Sequence, residues 1–185
     1  MGPGFMTPEH QPVEDGCPVF VALGSNLGDS PRQLTEAMDR LDAIALKPVR
    51  RSSVWRSTPV DCPPGSPVFA NAVVGLIPHP GETPESLLRR LQAIEVDFGR
   101  HPKVVLNEAR PLDLDLIDWT GETRSTPELT LPHPRAHLRR FVLAPLAELA
   151  PTRVLAGQCL SVAELLESAP PDPELRRLPS GECGR

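Results

Sequence analysis

Prolines divide this chain into short segments and thereby limit the folds that it can adopt. The sequence contains 24 prolines in 185 residues, more than twice the usual share of roughly 5%. A proline inside a helix removes a backbone hydrogen bond and clashes with the preceding turn, so we expect neither a coiled coil nor a bundle of long helices. Hydrophobic residues make up 39% of the chain, which is enough to form the core of one domain.

The excess acidic residues lie at the two ends of the chain. The formal net charge is −5; residues 1–16 contain three acids and no base, and residues 164–185 contain five acids and three arginines, so the stretch between them is neutral. We therefore expect a flexible tail over 1–17, a single domain over 18–168 and a Pro-rich tail over 169–185. This charge argues against a protein that binds nucleic acid electrostatically.

The four cysteines, Cys17, Cys62, Cys159 and Cys183, are far apart and form no C-x-x-C pair. This spacing argues against a zinc site and predicts free thiols rather than a disulfide framework. No run of residues approaches the ~20 apolar residues of a membrane span, and no signal peptide is visible. We therefore expect a soluble, cytoplasmic protein that contacts no membrane.

The spacing of apolar residues predicts the element order β-α-β-β-α-β, followed by a mostly helical C-terminal part. This order matches the ferredoxin-like split βαβ arrangement, an antiparallel sheet with both helices on one face. The added C-terminal helices can cover the other face, so we predict an α+β fold with three layers, α/β/α. The predicted strands are Val19–Leu23, Val49–Trp55, Phe69–Ile77 and Leu112–Trp119; capping residues start helices at Ser30, Thr83 and Ser161, and a further helical stretch covers 136–149.

Asp113 and Asp115 are the most informative residues of the last predicted strand. Residues i and i+2 of a strand point to the same face, about 6.6 Å apart, and Leu112, Leu114 and Leu116 then fill the other face. Two neighbouring carboxylates repel each other unless a cation lies between them, and such oxygen ligands suit Mg²⁺ together with substrate phosphates. From the spacing alone, a solvated face of an edge strand is an equally good interpretation.

Cationic and polar side chains flank this acid pair in the sequence. Arg100 follows the second helix, and Arg110 lies three residues before Asp113, as expected if a polyphosphate is held at a metal. Gln92 and Glu95 lie near the end of the same helix, one turn before Arg100. Each of these two residues, taken singly, is more typical of a surface position.

Three further segments carry polar or aromatic groups of interest. His133 stands between two prolines and is followed by Arg139, an arrangement that can bind phosphate oxygens or can simply form a turn before a basic helix face. Phe69 and Asn71 share one face of the third strand and can stack on and hydrogen-bond a flat heterocycle, although a strand Phe more often belongs to the core. Residues 24–28 match neither a dinucleotide fingerprint nor a P-loop, and we interpret them as a tight turn between the first strand and the first helix.

Taken in order, these segments resemble those of the 6-hydroxymethyl-7,8-dihydropterin pyrophosphokinase family of folate biosynthesis. The resemblance runs from about residue 19 to residue 155. Its most specific part is the R-x-x-D-x-D element from Arg110 to Asp115, with the later Pro-His pair and arginine. The resembling segments are Val21–Leu27, Ser52–Pro59, Phe69–Ala72, Gln92–Glu95, Gly99–Arg100, Arg110–Asp115 and Leu131–Phe141.

This resemblance implies a ferredoxin-like transferase that moves a pyrophosphoryl group from ATP to the hydroxymethyl group of the pterin, with two Mg²⁺ ions. It implies that Asp113 and Asp115 hold both ions and that Arg100 and Arg110 act with them in catalysis. We expect a monomer whose partners are these two small molecules. The implied ATP-binding residues are Gln92, Glu95, Arg100, Arg110, Leu116, Thr130, His133 and Arg139, and the implied pterin-binding residues are Ser57, Val60 (through its backbone), Phe69, Asn71, Asp113 and Phe141.

One departure from the family pattern lies in the catalytic loop. Where the family commonly has Trp-Gly-Pro-Arg, this chain has Asn107-Glu-Ala-Arg110. The aromatic residue of the family's mobile loop is therefore missing, so the resemblance does not carry the family's loop closure over to this chain.

Two other functions are compatible with the residues themselves. One is a ferredoxin-like module that binds a small ligand or a partner without catalysis; the other is a metal-dependent phosphohydrolase that uses the same acids. A binding module has little reason to place two acids beside Arg100, Arg110 and Arg139, which favours an enzyme.

Overall fold

The computed structural model describes residues 17–60, 62–101 and 109–179. The strands are β1 (Val19–Ser25), β2 (Arg50–Arg51), β3 (Trp55–Ser57), β4 (Phe69–Leu76), β5 (Asp113–Trp119), β6 (Arg124–Ser125), β7 (Thr130–Leu131) and β8 (Arg176–Arg177). The helices are α1 (Ser30–Ile44), α2 (Pro84–Asp97), α3 (Arg140–Leu149) and α4 (Val162–Ser168), and a 3₁₀ turn covers Ala136–Leu138.

Six of these strands form one antiparallel sheet. The order is β5-β1-β4-β3-β8, and β2 pairs with β4 beside β3, whereas β6 and β7 form a separate two-stranded sheet. In the predicted core, β1 and β4 therefore lie in the centre, and β5 and β3 flank them. This is the ferredoxin-like βαββαβ arrangement, so the predicted fold class is confirmed.

Alternation along the strands gives the sheet one largely apolar face. Val21 and Leu23 of β1 form a buried cluster there with Leu114 and Leu116 of β5 and with helices α1 and α2. The helices bury residues three or four positions apart, as expected for an amphipathic helix. The buried residues of α1 include Leu34, Ala37, Met38 and Leu41, and those of α2 include Leu87, Leu91 and Ile94.

On the opposite face, α3 and α4 cover one end of the sheet. Phe20 of β1, Val73 of β4 and Ile117 of β5 form a second buried cluster there with Leu143 and Leu146 of α3. This second helical layer confirms the predicted three-layer α/β/α arrangement. The other end of the same face is open and forms the floor of a pocket.

The structure corrects the prediction of a continuous second strand. Residues 49–55 are divided between β2 and β3. The Ser52 hydroxyl accepts a hydrogen bond from Val73 N at 2.9 Å, so a side chain takes the place of a backbone acceptor. The ladder to β4 is interrupted there because of this bond.

The predicted capping residue of α1 is also corrected. Asp29 is the N-cap, and its carboxylate accepts from Arg32 N. The Ser30 hydroxyl instead turns inward and accepts from Ser25 Oγ at 2.9 Å. The buried hydroxyl partner outweighs the local capping preference. Thr83 and Ser161 cap α2 and α4 as the sequence predicts.

The C-terminal strand β8 is not predicted by the sequence pattern. Arg176 and Arg177 pair with Arg56 and Trp55 of β3, within the stretch 169–185 that the composition assigns to a tail. The division into a domain and two tails stays a prediction, because the ends of both tails lie outside the described residues. None of the helices in the described part of the chain has the length and apolar character of a membrane span.

Candidate active site

A pocket lies at the open end of the sheet, beside the start of α3. Nine of the fifteen predicted site residues line it. The floor is formed by Ala22, Leu23 and Gly24 of β1, Phe69, Asn71 and Ala72 of β4, and Asp113 and Asp115 of β5. The remaining lining residues are Ser57, Thr58, Val60, Cys62, Arg110, Arg139, Phe141 and Val142.

The register of the strands explains how distant residues meet in this pocket. Gly24 is paired with Asn71 on one side and with Asp113 on the other, so the three residues form one row across the sheet. A Cβ atom on Gly24 would lie 3.7 Å from Asn71 Oδ1 and 4.0 Å from Asp113 Cβ. Because glycine has no side chain, it leaves the space between the Asn71 amide and the Asp113 carboxylate open to a ligand.

Asp113 lies between two arginines. Its Oδ1 accepts from Arg100 Nη1 at 2.6 Å, and its Oδ2 lies 2.8 Å from Arg110 Nη2. The three side chains are only 17% to 18% exposed, so water and salt screen their charges less than on an open surface. One acid and two cations are thus held together beside the pocket, where they can bind a charged group.

Asp115 has a different environment from Asp113. Within the described residues, no hydrogen bond or ion pair reaches its carboxylate. Burial, followed by repulsion from Asp113, raises the pKa of Asp115 to about 6, although nearby arginines act in the opposite direction. A buried carboxylate without a partner costs free energy, so a bound cation would stabilise it.

Glu95 of α2 lies behind the pocket and orients Arg100. Its Oε1 accepts from Leu114 N at 2.7 Å and also from Arg100 Nη1. Burial raises the pKa of Glu95 to about 7, against the effects of the Leu114 amide and of Arg100. Through these contacts Glu95 ties the end of α2 to β5 and holds the guanidinium against Asp113.

Two aromatic side chains enter the pocket from different elements. Phe69 begins β4, and Phe141 lies in the first turn of α3. An arginine lies over each ring: Arg110 Cζ is 5.7 Å from the Phe69 centroid, and Arg139 Cζ is 5.5 Å from the Phe141 centroid. These distances are typical of cation–π contacts. The pocket therefore combines flat apolar surfaces with positive charge.

The polar edge of the pocket is held by one buried hydrogen bond. Asn71 Nδ2 donates to Ser57 Oγ at 2.8 Å, and both residues are buried. Asn71 Oδ1 faces Gly24 and accepts no hydrogen bond from the described residues. A ligand with a donor group can bind to this oxygen.

His133 is held in its neutral form near Arg139. Its main-chain N–H donates to Ile117 O at 2.8 Å, and its ring Nδ1 accepts from Arg135 N at 3.2 Å. Burial lowers the pKa of His133 to about 4, and the charges of Arg139 and Arg135 act in the same direction. At neutral pH the proton therefore lies on Nε2, which can donate to an anion.

Six of the predicted residues do not line the pocket. Arg100, Glu95 and His133 instead make the contacts described above. Gln92 on α2 and Thr130 on β7 are exposed. Leu116 is 3% exposed and packs against α1 and α2, because it points to the opposite face of β5 from Asp115. Asn107 of the catalytic loop lies outside the described residues.

Asn26 is a site residue that the sequence interpretation misses. Its buried side chain accepts from Arg110 N at 2.9 Å through Oδ1, and its main-chain N–H donates to Arg110 O at 3.2 Å. Its Nδ2 donates to Pro67 O at 3.4 Å. Asn26 therefore positions the main chain of Arg110. In the sequence, Asn26 lies within the Gly24–Gly28 segment. The glycine spacing of that segment indicates a turn and does not predict the role of Asn26.

Comparison with known proteins identifies one family. Residues 20–151 match the family model described as 7,8-dihydro-6-hydroxymethylpterin-pyrophosphokinase (HPPK). The 2-amino-4-hydroxy-6-hydroxymethyldihydropteridine pyrophosphokinase of Pseudomonas aeruginosa is 37% identical over 154 residues, which are 82% of this chain and 91% of that protein. The protein of the same name from Synechocystis is 37% identical over 149 residues, 80% of this chain and 73% of that protein.

Longer proteins also match. The folic acid synthesis protein fol1 of Pneumocystis carinii is 33% identical over 149 residues, 80% of this chain but only 20% of that protein. A solved structure of HPPK-DHPS in complex with substrates has a TM-score of 0.62 at 10% sequence identity, over 81% of this chain and 42% of that chain. At this identity the structural likeness supports the fold alone.

Proposed function

The chain belongs to the HPPK family, and we propose that its pocket transfers a pyrophosphoryl group from ATP to the hydroxymethyl group of 6-hydroxymethyl-7,8-dihydropterin. The family resemblance seen in the sequence is confirmed, and the chain is a pyrophosphokinase of folate synthesis with ATP as co-substrate. The observation that carries the assignment to this pocket is the pair Asp113 and Asp115, which lies beside Arg100 and Arg110 on the floor of an aromatic-lined cavity.

The proposed reaction forms one bond and breaks one. The hydroxymethyl oxygen attacks the β-phosphorus of ATP, and the bond from that phosphorus to the oxygen bridging the α-phosphate breaks. AMP leaves with the bridging oxygen, and the hydroxyl proton passes to water. Arg100 and Arg110 stabilise the charge that develops on the phosphate oxygens, so catalysis rests on positioning and electrostatics.

For the pterin, we propose that Phe69 and Phe141 hold the ring between them. Asn71 and Ser57 bind the polar edge of the ring by hydrogen bonds, with assistance from the backbone near Val60. Support for this assignment comes from the pocket itself, which all five residues line. A flat heterocycle with donors and acceptors at its edge matches this combination of surfaces.

For ATP, we propose that Arg110, Arg139 and His133 contact the phosphates. Arg110 and Arg139 line the pocket, and the neutral His133 lies close enough to Arg139 for that charge to lower its pKa. The other residues of the proposed ATP site follow from the family resemblance: Gln92, Glu95, Leu116 (through its main chain) and Thr130.

Asp113 and Asp115 are the residues that would hold Mg²⁺, two ions in our proposal. In the part of the chain that the structure describes, no group of three or more His, Cys, Asp or Glu side chains could hold a metal ion. Mg²⁺ commonly uses one or two carboxylates together with substrate phosphates. The half-buried carboxylate of Asp115, which has no hydrogen-bond or ion-pair partner among the described residues, fits this use. When bound, Mg²⁺ neutralises charge on the phosphates.

An assay of the products tests the proposed function. The full chain with ATP, Mg²⁺ and the pterin should form AMP and the pterin diphosphate in equal amounts, with no AMP in the absence of the pterin. Phosphorus NMR separates the products directly. Formation of ADP or inorganic phosphate in place of AMP would identify a different phosphotransfer enzyme and would contradict the proposal.

The enzyme is also proposed to act as a monomer in the cytoplasm.

A further inference from the structure

The described residues of the loop 58–67 form one wall of the pocket and make few hydrogen bonds among themselves. Four of its ten residues are prolines, which have no backbone N–H to donate. Among its described residues, the internal hydrogen bonds run from Cys62 Sγ to Val60 O and from Ser66 to Pro63 O, and they are all local. The position of the loop therefore depends on what holds its two ends.

Both ends of this loop are held by distant parts of the chain. At the end of the loop, Pro67 O accepts from Asn26 Nδ2. At its start, Thr58 N donates to Asp172 Oδ2 at 3.2 Å. Asp172 Oδ1 accepts from Glu174 N at 2.9 Å, so one carboxylate both shapes its own turn and holds Thr58, a pocket residue.

The segment that carries Asp172 is itself attached to the sheet. β8 pairs with β3, and Leu178 N donates to Val54 O at 2.8 Å. Arg177 Cζ lies 5.6 Å from the centroid of the Trp55 ring, and Arg177 Nη2 lies 3.1 Å from Glu148 Oε1. These contacts hold the turn at Asp172 at a defined distance from the pocket.

The strand to which this segment is attached carries the polar edge of the pocket. β3 ends at Ser57, whose hydroxyl accepts from Asn71, and Thr58 follows directly. The acid pair lies on β5, which two central strands separate from β3. Loss of support at β3 should therefore disturb the pterin side of the pocket more than the phosphate side.

We propose that the C-terminal segment Asp172–Leu178 positions the pterin-binding wall of the pocket, with Asp172 as the residue that holds the loop. The segment lies beyond residues 20–151, the part of the chain that matches the family model. The inference rests on the proposed function of the pocket.

Two variants of the full chain test the role of Asp172. Asp172→Ala removes the acceptor for Thr58 N, whereas Asp172→Asn keeps one side-chain oxygen there. Asp172→Ala should raise the KM for the pterin about fivefold, the effect expected for one net hydrogen bond, with the KM for ATP and kcat within about twofold of the unmodified chain. Asp172→Asn should recover most of the affinity for the pterin.

A chain that ends after Pro170 removes the whole segment and should raise the KM for the pterin more than Asp172→Ala does. Glu167→Ala, on the exposed surface of α4, is the matched control and should leave both KM values, kcat and the melting temperature unchanged. If the shortened chain does not fold, the point variants decide the question.

An unchanged KM for the pterin in Asp172→Ala, or an equal loss of affinity for both substrates, would overturn the inference. If the unmodified chain forms no pterin diphosphate, the proposed function itself is contradicted, and the two failures are thereby distinguished.

Discussion

The two ends of β5 hold carboxylates in opposite states, Asp118 buried and Asp115 half-buried at the pocket. Asp118, 3% exposed, accepts from Arg153 Nε at 2.9 Å and also from Arg153 Nη2. Arg153 in turn donates to Thr120 Oγ1 at 2.8 Å and lies over the Phe20 ring. Asp115 has no such partner among the described residues, and burial raises its pKa to about 6.

This difference separates a structural acid from a binding acid. At the end that α3 covers, the protein itself supplies the cation, and the charge of Asp118 is satisfied within the fold. At the open end, the charge of Asp115 is left for a ligand. A perturbed pKa in a cleft is typical of functional groups, and the paired carboxylate on the same strand shows that the fold can satisfy a buried acid elsewhere.

Asp115→Ala should have the largest effect, and the effect should be on turnover. Loss of a carboxylate that holds a cation at the phosphates should lower kcat/KM by at least roughly 10²–10³-fold. The melting temperature should be unchanged or higher, because the variant no longer holds a half-buried acid for which the described residues provide no partner. AMP release and thermal unfolding of the same preparation measure both quantities. Turnover within tenfold of the unmodified chain would contradict this assignment.

Asp118→Ala should show the reverse pattern. It leaves Arg153 buried without its partner, so the free energy of unfolding should fall by about 3–5 kcal/mol, while kcat/KM per folded molecule stays near that of the unmodified chain. Urea unfolding gives the first quantity, and activity corrected for the folded fraction gives the second. The double variant Asp118→Leu, Arg153→Met removes both charges and should regain much of the stability. If the activity of Asp118→Ala fell by more than its folded fraction does, Asp118 would also contribute to turnover, which would contradict its purely structural role.

His133 should add a pH dependence of stability at the open end. Its pKa is lowered from 6.5 to about 4, so between these values the unfolded chain binds a proton that the folded protein excludes. Stability should therefore fall as the pH falls, by about 2 kcal/mol from this residue between pH 7 and pH 4.5. In His133→Gln, the free energy of unfolding measured with urea should fall by this amount less between the two pH values. An equal dependence in the two proteins would mean that His133 is charged in the folded state.

Two glycines provide the smallest and most direct test of the two ends. At the open end, a methyl group on Gly24 would make ordinary contacts of 3.7 to 4.0 Å, so Gly24→Ala should keep its stability but raise the KM for the pterin about tenfold, close to 1.4 kcal/mol. At the covered end, a Cβ on Gly75 would lie 3.0 Å from Cys17 Sγ, so Gly75→Ala should cost about 1–3 kcal/mol of stability without a change in KM. The KM for the pterin and the free energy of unfolding should be measured for both variants. A loss of stability in Gly24→Ala, or a raised KM in Gly75→Ala, would contradict the comparison.

Much of the fold and of the site could be predicted because it depends on local spacing. The period of two in β5 places Asp113 and Asp115 on one face, and the same period places Phe69 and Asn71 together on β4. The buried residues of α1 and α2 follow the helical period. Spacing does not predict the break at Ser52, because that break depends on a hydroxyl partner on a neighbouring strand.

The amino-acid sequence by itself determined which side chains share a face, since neighbours along a strand or helix obey fixed periods. Only the tertiary structure decided which of those side chains have partners. Asp118 and Arg153 are 35 residues apart, Asn26 and Arg110 are 84 apart, and Thr58 and Asp172 are 114 apart. Such pairs depend on strand order, on register and on where the covering helices stop. For that reason one acid of β5 is satisfied within the fold and another is left for a ligand.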